Sequence, residues 1–257
     1  MPRPLAEHLA AVGDRLRAAP RVLVYLDFDG TLAPICDRPF AVEPIPGARE
    51  LLHALNAHPR SAAAVVSGRE LDDLVPRVGV PGLACAGNHG LEITGPGLDF
   101  RHPEAVERRP HLAALVAELS AAVAGIPGAW VQDKGLSASV HFRQTDLDRI
   151  PDVEATVRRL HEPHRDRFVL RPGKMVLEVR PAVDWHKGRA IEWLTPRLGG
   201  GLPVFFGDDQ TDEDGFRAAT DGLTVLVGPP RPTAAQYRVD GPEQVTEFLR
   251  WAVETLG

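Results

Sequence analysis

The sequence predicts an α/β protein with a mostly parallel sheet and an inserted α+β domain. Two observations indicate this class. Short apolar runs alternate with helical segments at both ends of the chain, which is typical of βαβ units. Between residues 104 and 180 the predicted order changes to helix, two strands, helix, two strands. We therefore expect residues 1–103 and 181–257 to form a core, and residues 104–180 a smaller domain.

The N-terminal segments predict helices and buried strands in alternation. Apolar residues recur at helical spacing over residues 5–18 and 46–57. Residues 21–26 and 62–66 are short, almost continuous apolar runs, which are typical of strands covered on both faces. The pattern further predicts a short helix over residues 70–78 and short strands over 82–86 and 91–93.

The remaining segments complete the order. In the middle of the chain we expect helices over residues 103–124 and 152–161, strand-like residues over 130–143 with a break at 134–135, and strands over 167–170 and 174–179. In the C-terminal third we expect helices over residues 187–198, 211–219 and 243–256, and strands over 202–206 and 223–227. The C-terminal third therefore repeats the alternation seen at the N-terminus.

Composition and charge exclude several classes of partner. The 257 residues carry a formal net charge of -6 at pH 7 and show no basic run, so we expect no nucleic-acid partner. No apolar stretch approaches membrane-spanning length. Charged residues interrupt positions 1–20, so we expect no signal peptide, no membrane association and a cytoplasmic location. The two cysteines form no CxxC pattern, which indicates neither a disulfide framework nor a zinc site.

Three predicted strands end in polar turns that contain glycine. These turns are residues 27–31 (DFDGT), 67–69 (SGR) and 207–209 (GDD). Ligands of open parallel sheets bind beyond the carboxyl ends of the strands. We therefore expect these turns to form one site.

Asp27 and Asp29 lie two positions apart, so on an extended chain their carboxyl groups point to the same side. Such a pair is costly unless a cation lies between the two groups or one of them holds a proton. A carboxylate can accept a phosphoryl group as nucleophile, and a second carboxyl can transfer protons. Gly30 permits a tight turn, and the Thr31 hydroxyl can bind phosphate. The alternative is an ordinary turn at Asp29 and Gly30 that Asp27 caps.

Residues 208–214, which follow Gly207, hold five acidic side chains in seven positions. Mg²⁺ prefers carboxylates, phosphate oxygens and waters, so we expect Asp27 and Asp208 as direct ligands and the Asp29 backbone carbonyl as a third. Asp212 is expected to hold a metal-bound water or a neighbouring group. The alternative for Asp212, Glu213 and Asp214 is a helix start, where acidic residues are favoured.

Ser67 and Lys187 also suit phosphate chemistry. Ser67 could donate its hydroxyl and backbone N–H to phosphoryl oxygens, or it could be a helix N-cap with Glu70 completing a capping box. Lys187 opens a predicted helix, where its ammonium could keep Asp27 ionised and stabilise transferring charge. The alternative for Lys187 is an ordinary solvated lysine.

These motifs, in this order and spacing, resemble the haloacid dehalogenase superfamily. The resemblance implies Asp27 as nucleophile, Asp29 as general acid/base and Asp208 as metal ligand. It also implies a set of phosphate-binding residues, Thr31, Ser67, Gly68 and Lys187, and the accessory acids Asp209 and Asp212.

A narrower resemblance, to the trehalose-6-phosphate phosphatase family, covers nearly the whole chain. It is carried by residues 27–34, 67–69, 87–92, 133–137, 141–143, 173–181 and 207–213. It implies a Rossmann-like core with an α+β cap. Sugar contacts would come from Lys134, Arg143, Lys174 and Glu178 in the cap and from Arg69, Asn88 and His89 in the core. Without the resemblance, Lys174 and Glu178 would be read as an ordinary surface ion pair. In this family an acid stands two residues before Lys134, where this chain has Gln132.

The expected function is Mg²⁺-dependent hydrolysis of trehalose 6-phosphate through an aspartyl-phosphate, with functional coupling to a trehalose-phosphate synthase. Three alternatives stay open at this point. The substrate could be another sugar phosphate, such as sucrose or glucosylglycerol phosphate. The acceptor could be a sugar, as in a phosphotransferase or mutase. The chain could also be a catalytically silent sugar-phosphate sensor, although Asp27, Asp29, Lys187 and Asp208 are all present.

Overall fold

A computed structural model describes residues 1–36 and 42–257 of the chain. The described residues divide into two compact units. The first unit contains Met1–Phe100 and Trp185–Gly257, and the second contains Arg101–Asp184. The predicted fold class is confirmed, because a large mostly parallel sheet and a separate small antiparallel sheet are present.

The strands and helices follow the predicted alternation. The strands are β1 (Arg3–Pro4), β2 (Val22–Leu26), β3 (Ser61–Val66), β4 (Ala84–Gly87), β5 (Glu92–Gly95), β6 (Leu98–Arg101), β7 (Trp130–Asp133), β8 (Ala138–His141), β9 (Phe168–Gly173), β10 (Val176–Pro181), β11 (Leu202–Gly207), β12 (Leu223–Val227) and β13 (Tyr237–Val239). The helices are α1 (Leu9–Ala18), α2 (Ala48–Ala57), α3 (Leu71–Val78), α4 (Pro103–Glu107), α5 (Arg109–Val123), α6 (Ile150–His161), α7 (Lys187–Arg197), α8 (Glu213–Ala218) and α9 (Pro242–Leu256).

Within the described residues, nine strands form the large sheet, in the order β1-β13-β12-β11-β2-β3-β4-β5-β6. In this order, the first seven strands, β1 through β4, each run parallel to the next one, whereas β4 and β5 are antiparallel. Strand β2 lies between β11 and β3, with Val24 in register with Val204 and Ala63. The three strands that precede the polar turns are therefore neighbours.

Strand β2 is buried on both faces. Alternate side chains of a strand point to opposite faces, and those of β2 divide between two apolar clusters. Val24 and Leu26 pack in one cluster, and Leu23 and Tyr25 pack in the other. This double burial explains why residues 22–26 are apolar without alternation.

The second unit has its own sheet and core. Strands β7, β8, β10 and β9 form an antiparallel sheet in that order. The buried side chains of α5, α6 and these strands form one apolar cluster, which includes Leu119, Val140, Val157 and Phe168.

The single helix expected over residues 103–124 is wrong in one respect, because it is divided into α4 and α5 at Arg108. Pro110 lies in the first turn of α5, where a missing N–H costs least. The guanidinium of Arg108 donates to the carbonyl oxygen of Ala182, at 2.9 Å.

None of the helices in residues 1–36 and 42–257 is both long enough and apolar enough to cross a lipid bilayer.

Candidate active site

Three polar turns meet at the carboxyl edge of the large sheet. Asp27 follows β2, Ser67 follows β3 and Asp208 follows β11. Because these neighbouring strands are parallel, their carboxyl ends lie at one edge. The backbone N–H of Asp27 donates to the Phe206 carbonyl at 2.9 Å, which continues the ladder into the turn.

Lys187, the first residue of α7, lies between two buried carboxylates. Its Nζ is 2.7 Å from Oδ1 of Asp27 and 2.7 Å from Oδ1 of Asp212. Only 2% of Lys187 is exposed. Lys187 is therefore a buried counter-ion, and the alternative of a solvated lysine is wrong.

Burial and the neighbouring charges set the pKa of each group. Burial raises the pKa of Asp27 well above its ordinary value; the Lys187 ammonium opposes this, and the Asp212 and Asp208 carboxylates reinforce it. Burial likewise raises the pKa of Asp212, with Lys187 again opposing. Burial favours a lower pKa for Lys187, but Asp212 and Asp27 outweigh it, so that pKa is raised. The ammonium thus favours the ionised form of Asp27.

The turn after Asp27 is tight and presents a buried hydroxyl. The Phe28 carbonyl accepts hydrogen bonds from the N–H groups of Leu32 and Ala33, both at 3.0 Å. Gly30 has a φ of 84°, and a Cβ there would overlap the Asp208 carboxylate, so both the turn and its neighbour require glycine. Among the described residues, no group hydrogen-bonds the buried Thr31 hydroxyl, which makes it a candidate donor to a substrate oxygen.

Asp27, Asp208 and Asp212 could together hold a metal ion, since a carboxylate oxygen from each lies within 4.8 Å of the others. Asp212 already has several partners, because its Oδ1 accepts from Lys187 and its Oδ2 accepts from the N–H groups of Asp208 and Asp209, both at 3.0 Å. Its expected role of holding a neighbouring group fits this arrangement. An all-oxygen donor set of Asp27 and Asp208 suits a hard cation such as Mg²⁺.

Asp209 shapes the turn that carries Asp208. Its Oδ1 accepts from the N–H of Thr211, at 2.5 Å, and together with Asp212 it forms a capping box. This acidic segment therefore also begins a helix, as the alternative interpretation of Asp212, Glu213 and Asp214 expects.

The side chain of Asp29 is held by Arg69. The guanidinium donates from Nε to Oδ2 and from Nη2 to Oδ1, each at 2.7 Å, in the bidentate geometry typical of arginine. Nη1 of Arg69 also donates to Asp73, at 2.5 Å. Burial favours a lower pKa for Arg69, but Asp29 and Asp73 outweigh it, so that pKa is raised.

Ser67 and Gly68 lie beside a second turn, that of Asn88 and His89. The Ser67 hydroxyl accepts from the Arg69 N–H at 3.2 Å. A Cβ at Gly68 would lie only 2.6 Å from Cε1 of His89. The capping box proposed for Ser67 and Glu70 is wrong, because α3 begins only at Leu71 with Glu70 as its N-cap.

Arg231 holds the turn that carries Asp208 and Asp209, and no sequence motif predicts this role. Its guanidinium donates to the Asp209 carbonyl at 2.9 Å and to Oε1 of Glu213 at 2.6 Å. Glu213 is buried and also accepts from the N–H of Ala234, at 2.8 Å. These contacts join segments that are distant in the sequence, so no local residue pattern predicts them.

The second unit groups the residues expected to contact a sugar. Nζ of Lys134 lies 3.6 Å from Oε1 of Glu178, and Glu178 also pairs with Arg180. Arg143 donates to the Lys174 carbonyl at 3.0 Å.

Gln132 lies in the same sheet as these residues and has an aromatic neighbour. Its Oε1 lies 3.1 Å from Nε2 of His141, and the His141 ring stacks on Trp130 with centroids 4.2 Å apart. Burial lowers the pKa of His141 to about 4; Lys134 and Arg143 reinforce this and Glu178 opposes it. A neutral imidazole is thus held beside the Gln132 amide.

Comparison with known proteins decides the family. A family model described as trehalose-phosphatase matches residues 25–243. The chain belongs to the trehalose-phosphatase family. It is 39% identical over 247 residues to a trehalose-phosphate phosphatase from Mycobacterium avium strain 104, covering 91% of this chain and 62% of the relative. A trehalose-phosphate phosphatase from Mycobacterium marinum is 35% identical over 272 residues, covering 97% and 69% respectively. The chain thus spans somewhat less than two thirds of the Mycobacterium avium relative.

Solved structures share the fold. The C-terminal domain of trehalose-6-phosphate phosphatase from Candida albicans superposes with a TM-score of 0.83 at 21% identity, covering 99% of both chains. A trehalose-6-phosphate phosphatase from Aspergillus fumigatus gives 0.68 at 26%, covering 99% of this chain and 100% of that one. A haloacid dehalogenase-like hydrolase from Bacteroides thetaiotaomicron gives 0.63 at 17%, covering 90% and 99%. The expected haloacid dehalogenase fold of this trehalose-phosphatase family member is therefore confirmed.

Removing the buried ammonium should destabilise the protein in a pH-dependent way. Lys187→Met leaves two buried carboxylates without their cation, and breaking a buried pair costs about 3–5 kcal/mol. The pKa of Asp27 is higher in the folded state than its ordinary value of 3.8, so the folded state favours the protonated carboxyl. Stability therefore falls as the pH rises from 3.8 to the folded-state pKa. The deficit against the wild type should therefore be larger at pH 8 than at pH 5, measured by urea unfolding in EDTA.

Lys174→Met is the matched control, because Lys174 is exposed and exposed substitutions usually change stability by less than about 0.5 kcal/mol. An equal deficit for Lys187→Met at both pH values would contradict the assigned ion pairs.

Proposed function

We propose that the chain hydrolyses trehalose 6-phosphate to trehalose and inorganic phosphate through an aspartyl-phosphate on Asp27. The observation that carries this proposal is the buried Asp27 carboxylate, bonded to Lys187 and grouped with Asp208 at the carboxyl edge of the sheet. The named activity of the mycobacterial relatives supports the choice of substrate.

The first step transfers the phosphoryl group. A carboxylate oxygen of Asp27 attacks phosphorus, and the bond between phosphorus and the sugar oxygen breaks. Asp29, in its protonated form, gives its proton to the leaving sugar oxygen and becomes a carboxylate. In the second step Asp29 accepts a proton from water as that water attacks phosphorus. Inorganic phosphate leaves and the Asp27 carboxylate is restored.

Charged and polar groups of the same edge stabilise the transferring group. The Lys187 ammonium contacts the nucleophile directly, and buried cations aimed at developing charge are effective because no solvent must reorganise. The buried Thr31 hydroxyl and the backbone around Ser67 and Gly68 supply hydrogen-bond donors to the phosphoryl oxygens.

Mg²⁺ is the cofactor that the donor set fits. Asp27, Asp208 and the Asp29 backbone carbonyl would hold it, and the ion would neutralise charge on the phosphoryl oxygens. Asp212 and Asp209 would act by fixing Lys187 and the turn that carries Asp208.

The finer parts of this proposal remain predictions from the sequence. They include sugar contacts by Arg69, Asn88 and His89, and by Lys134, Arg143, Lys174 and Glu178 in residues 104–180 acting as a cap. Functional coupling to a trehalose-phosphate synthase and a cytoplasmic location are predictions of the same kind.

A silent sensor is the second candidate, because the C-terminal domain of a trehalose synthase regulatory protein from Candida albicans shares this fold, with a TM-score of 0.71 at 15% identity. A fold alone does not decide function. The paired Asp27 and Lys187 and the adjacent Asp208 favour catalysis for this chain.

Phosphate release from a panel of sugar phosphates tests the proposal. We expect selective release from trehalose 6-phosphate over sucrose, glucosylglycerol and glucose phosphates, and loss of activity in EDTA. Preference for another sugar phosphate would overturn the substrate. Binding of trehalose 6-phosphate by folded protein without any phosphate release would favour the sensor.

Asp27→Asn should abolish turnover, because an uncharged amide cannot act as the nucleophile. We expect kcat for trehalose 6-phosphate to fall by at least about a thousandfold, with the circular-dichroism spectrum unchanged. Asp14→Asn is the control, since that side chain is 78% exposed and pairs with Arg17 at the surface of α1. Retention of a tenth or more of the activity by Asp27→Asn would exclude Asp27 as nucleophile.

A further inference from the structure

We propose that Glu92 is a positioning residue, which fixes the main chain around Arg69 and through Arg69 orients the proton-transferring carboxyl of Asp29. This inference rests on the proposed function, in which Asp29 accepts a proton from water in the second step.

Glu92 is a buried carboxylate that joins two turns of the site. It is the first residue of β5, pairs with Gly87 across the antiparallel ladder and is 8% exposed. Its Oε1 accepts from the Leu71 N–H at 2.9 Å and from Nδ2 of Asn88 at 2.7 Å. The N–H of Leu71 is one of the unpaired donors at the start of α3. Glu92, in strand β5, therefore caps the N-terminus of α3.

The two turns that Glu92 joins are also bonded through their backbones. The N–H of Asn88 donates to the Arg69 carbonyl at 2.7 Å, and the N–H of His89 donates to the Ser67 carbonyl at 2.8 Å. A Cβ at Gly87 would lie 2.9 Å from the Arg69 carbonyl oxygen. The position of Arg69 therefore depends on the conformation of the Asn88 turn.

That turn is conformationally costly. Asn88 has a φ of 49° and His89 a φ of 58°, and a non-glycine residue in the left-handed region costs on the order of 1 kcal/mol. The bond from Asn88 to Glu92 offsets part of this cost. Without the carboxylate, a buried amide and a helix N–H would lose their acceptor, and the turn could relax.

Arg69 transmits this constraint to Asp29. Its main chain is held by the Asn88 turn, and its side chain is 11% exposed and lies over the Phe28 ring, with Cζ 5.3 Å from the centroid. The guanidinium fork then fixes both oxygens of Asp29, whose side chain is 39% exposed. A half-exposed carboxylate without this fork would sample other rotamers, and proton transfer requires a fixed geometry.

The expected signature is a split between kinetic constants. When Asp29 is no longer held in one orientation, the step in which it accepts a proton from water should slow, so the effect falls on hydrolysis of the aspartyl-phosphate. With p-nitrophenyl phosphate, kcat/KM covers the steps up to release of p-nitrophenolate, whereas kcat includes hydrolysis of the intermediate. Loss of Glu92 should lower kcat and leave kcat/KM nearly unchanged.

The experiment compares Glu92→Ala with Glu92→Gln by stopped-flow kinetics on p-nitrophenyl phosphate. For Glu92→Ala we expect kcat to fall about tenfold or more, kcat/KM to change less than about threefold, and the p-nitrophenolate burst to approach one per active site. For Glu92→Gln, whose amide oxygen can accept both hydrogen bonds, we expect values within about threefold of the wild type.

Unchanged kcat in Glu92→Ala, or an equal fall in kcat and kcat/KM, would overturn the inference. If Glu92→Ala does not fold, the same kinetic comparison is made with Arg69→Lys. Lysine keeps the positive charge but cannot donate the two parallel hydrogen bonds to Asp29. Wild-type protein inactive on every phosphate would instead contradict the proposed function. A crystal structure of Glu92→Ala then decides: Arg69 displaced from Asp29 supports the inference, and Arg69 with both bonds intact overturns it.

Discussion

The site depends on the two ion pairs that the buried Lys187 ammonium forms with Asp27 and Asp212. Burial favours the uncharged form of each carboxyl, whereas a carboxylate nucleophile must be ionised. The Lys187 ammonium lies within hydrogen-bond distance of both carboxyl groups, and its positive charge favours their ionised forms. The contact exists because the parallel order β11-β2-β3 brings the ends of β2 and β11 together and because α7 begins at Lys187. Sheet topology therefore determines the chemistry at this edge.

Buried carboxylates also organise the loops around this ion pair. Asp212 accepts the N–H groups of the turn that carries Asp208. Glu92 accepts the first N–H of α3, and Glu213 accepts the N–H of Ala234. A carboxylate that accepts backbone N–H groups fixes a loop without needing a regular ladder, and a partly satisfied buried carboxylate would be costly. The shape of the active-site edge thus depends on side chains that need not touch the substrate.

Much of this was predictable from the sequence, since apolar runs identify buried strands and their polar ends identify the edge. The chain also contains only three lysines, Lys134, Lys174 and Lys187, and each falls at a predicted site position. The bond from Arg69 to Asp29 and the role of Glu92 could not be predicted, because they depend on the left-handed turn at Asn88. The break at Arg108 was missed for a related reason, as its partners are carbonyls of distant segments.

Chemical trapping shows directly whether the phosphoryl group is transferred to the Asp27 carboxylate. Borohydride reduces an acyl phosphate to an alcohol, so an aspartyl-phosphate trapped during turnover of trehalose 6-phosphate becomes homoserine. Peptide mass spectrometry then locates the modified residue. We expect homoserine at position 27 that depends on substrate and is absent in EDTA. Active enzyme that yields a reduced residue elsewhere, or none at any aspartate, would contradict it.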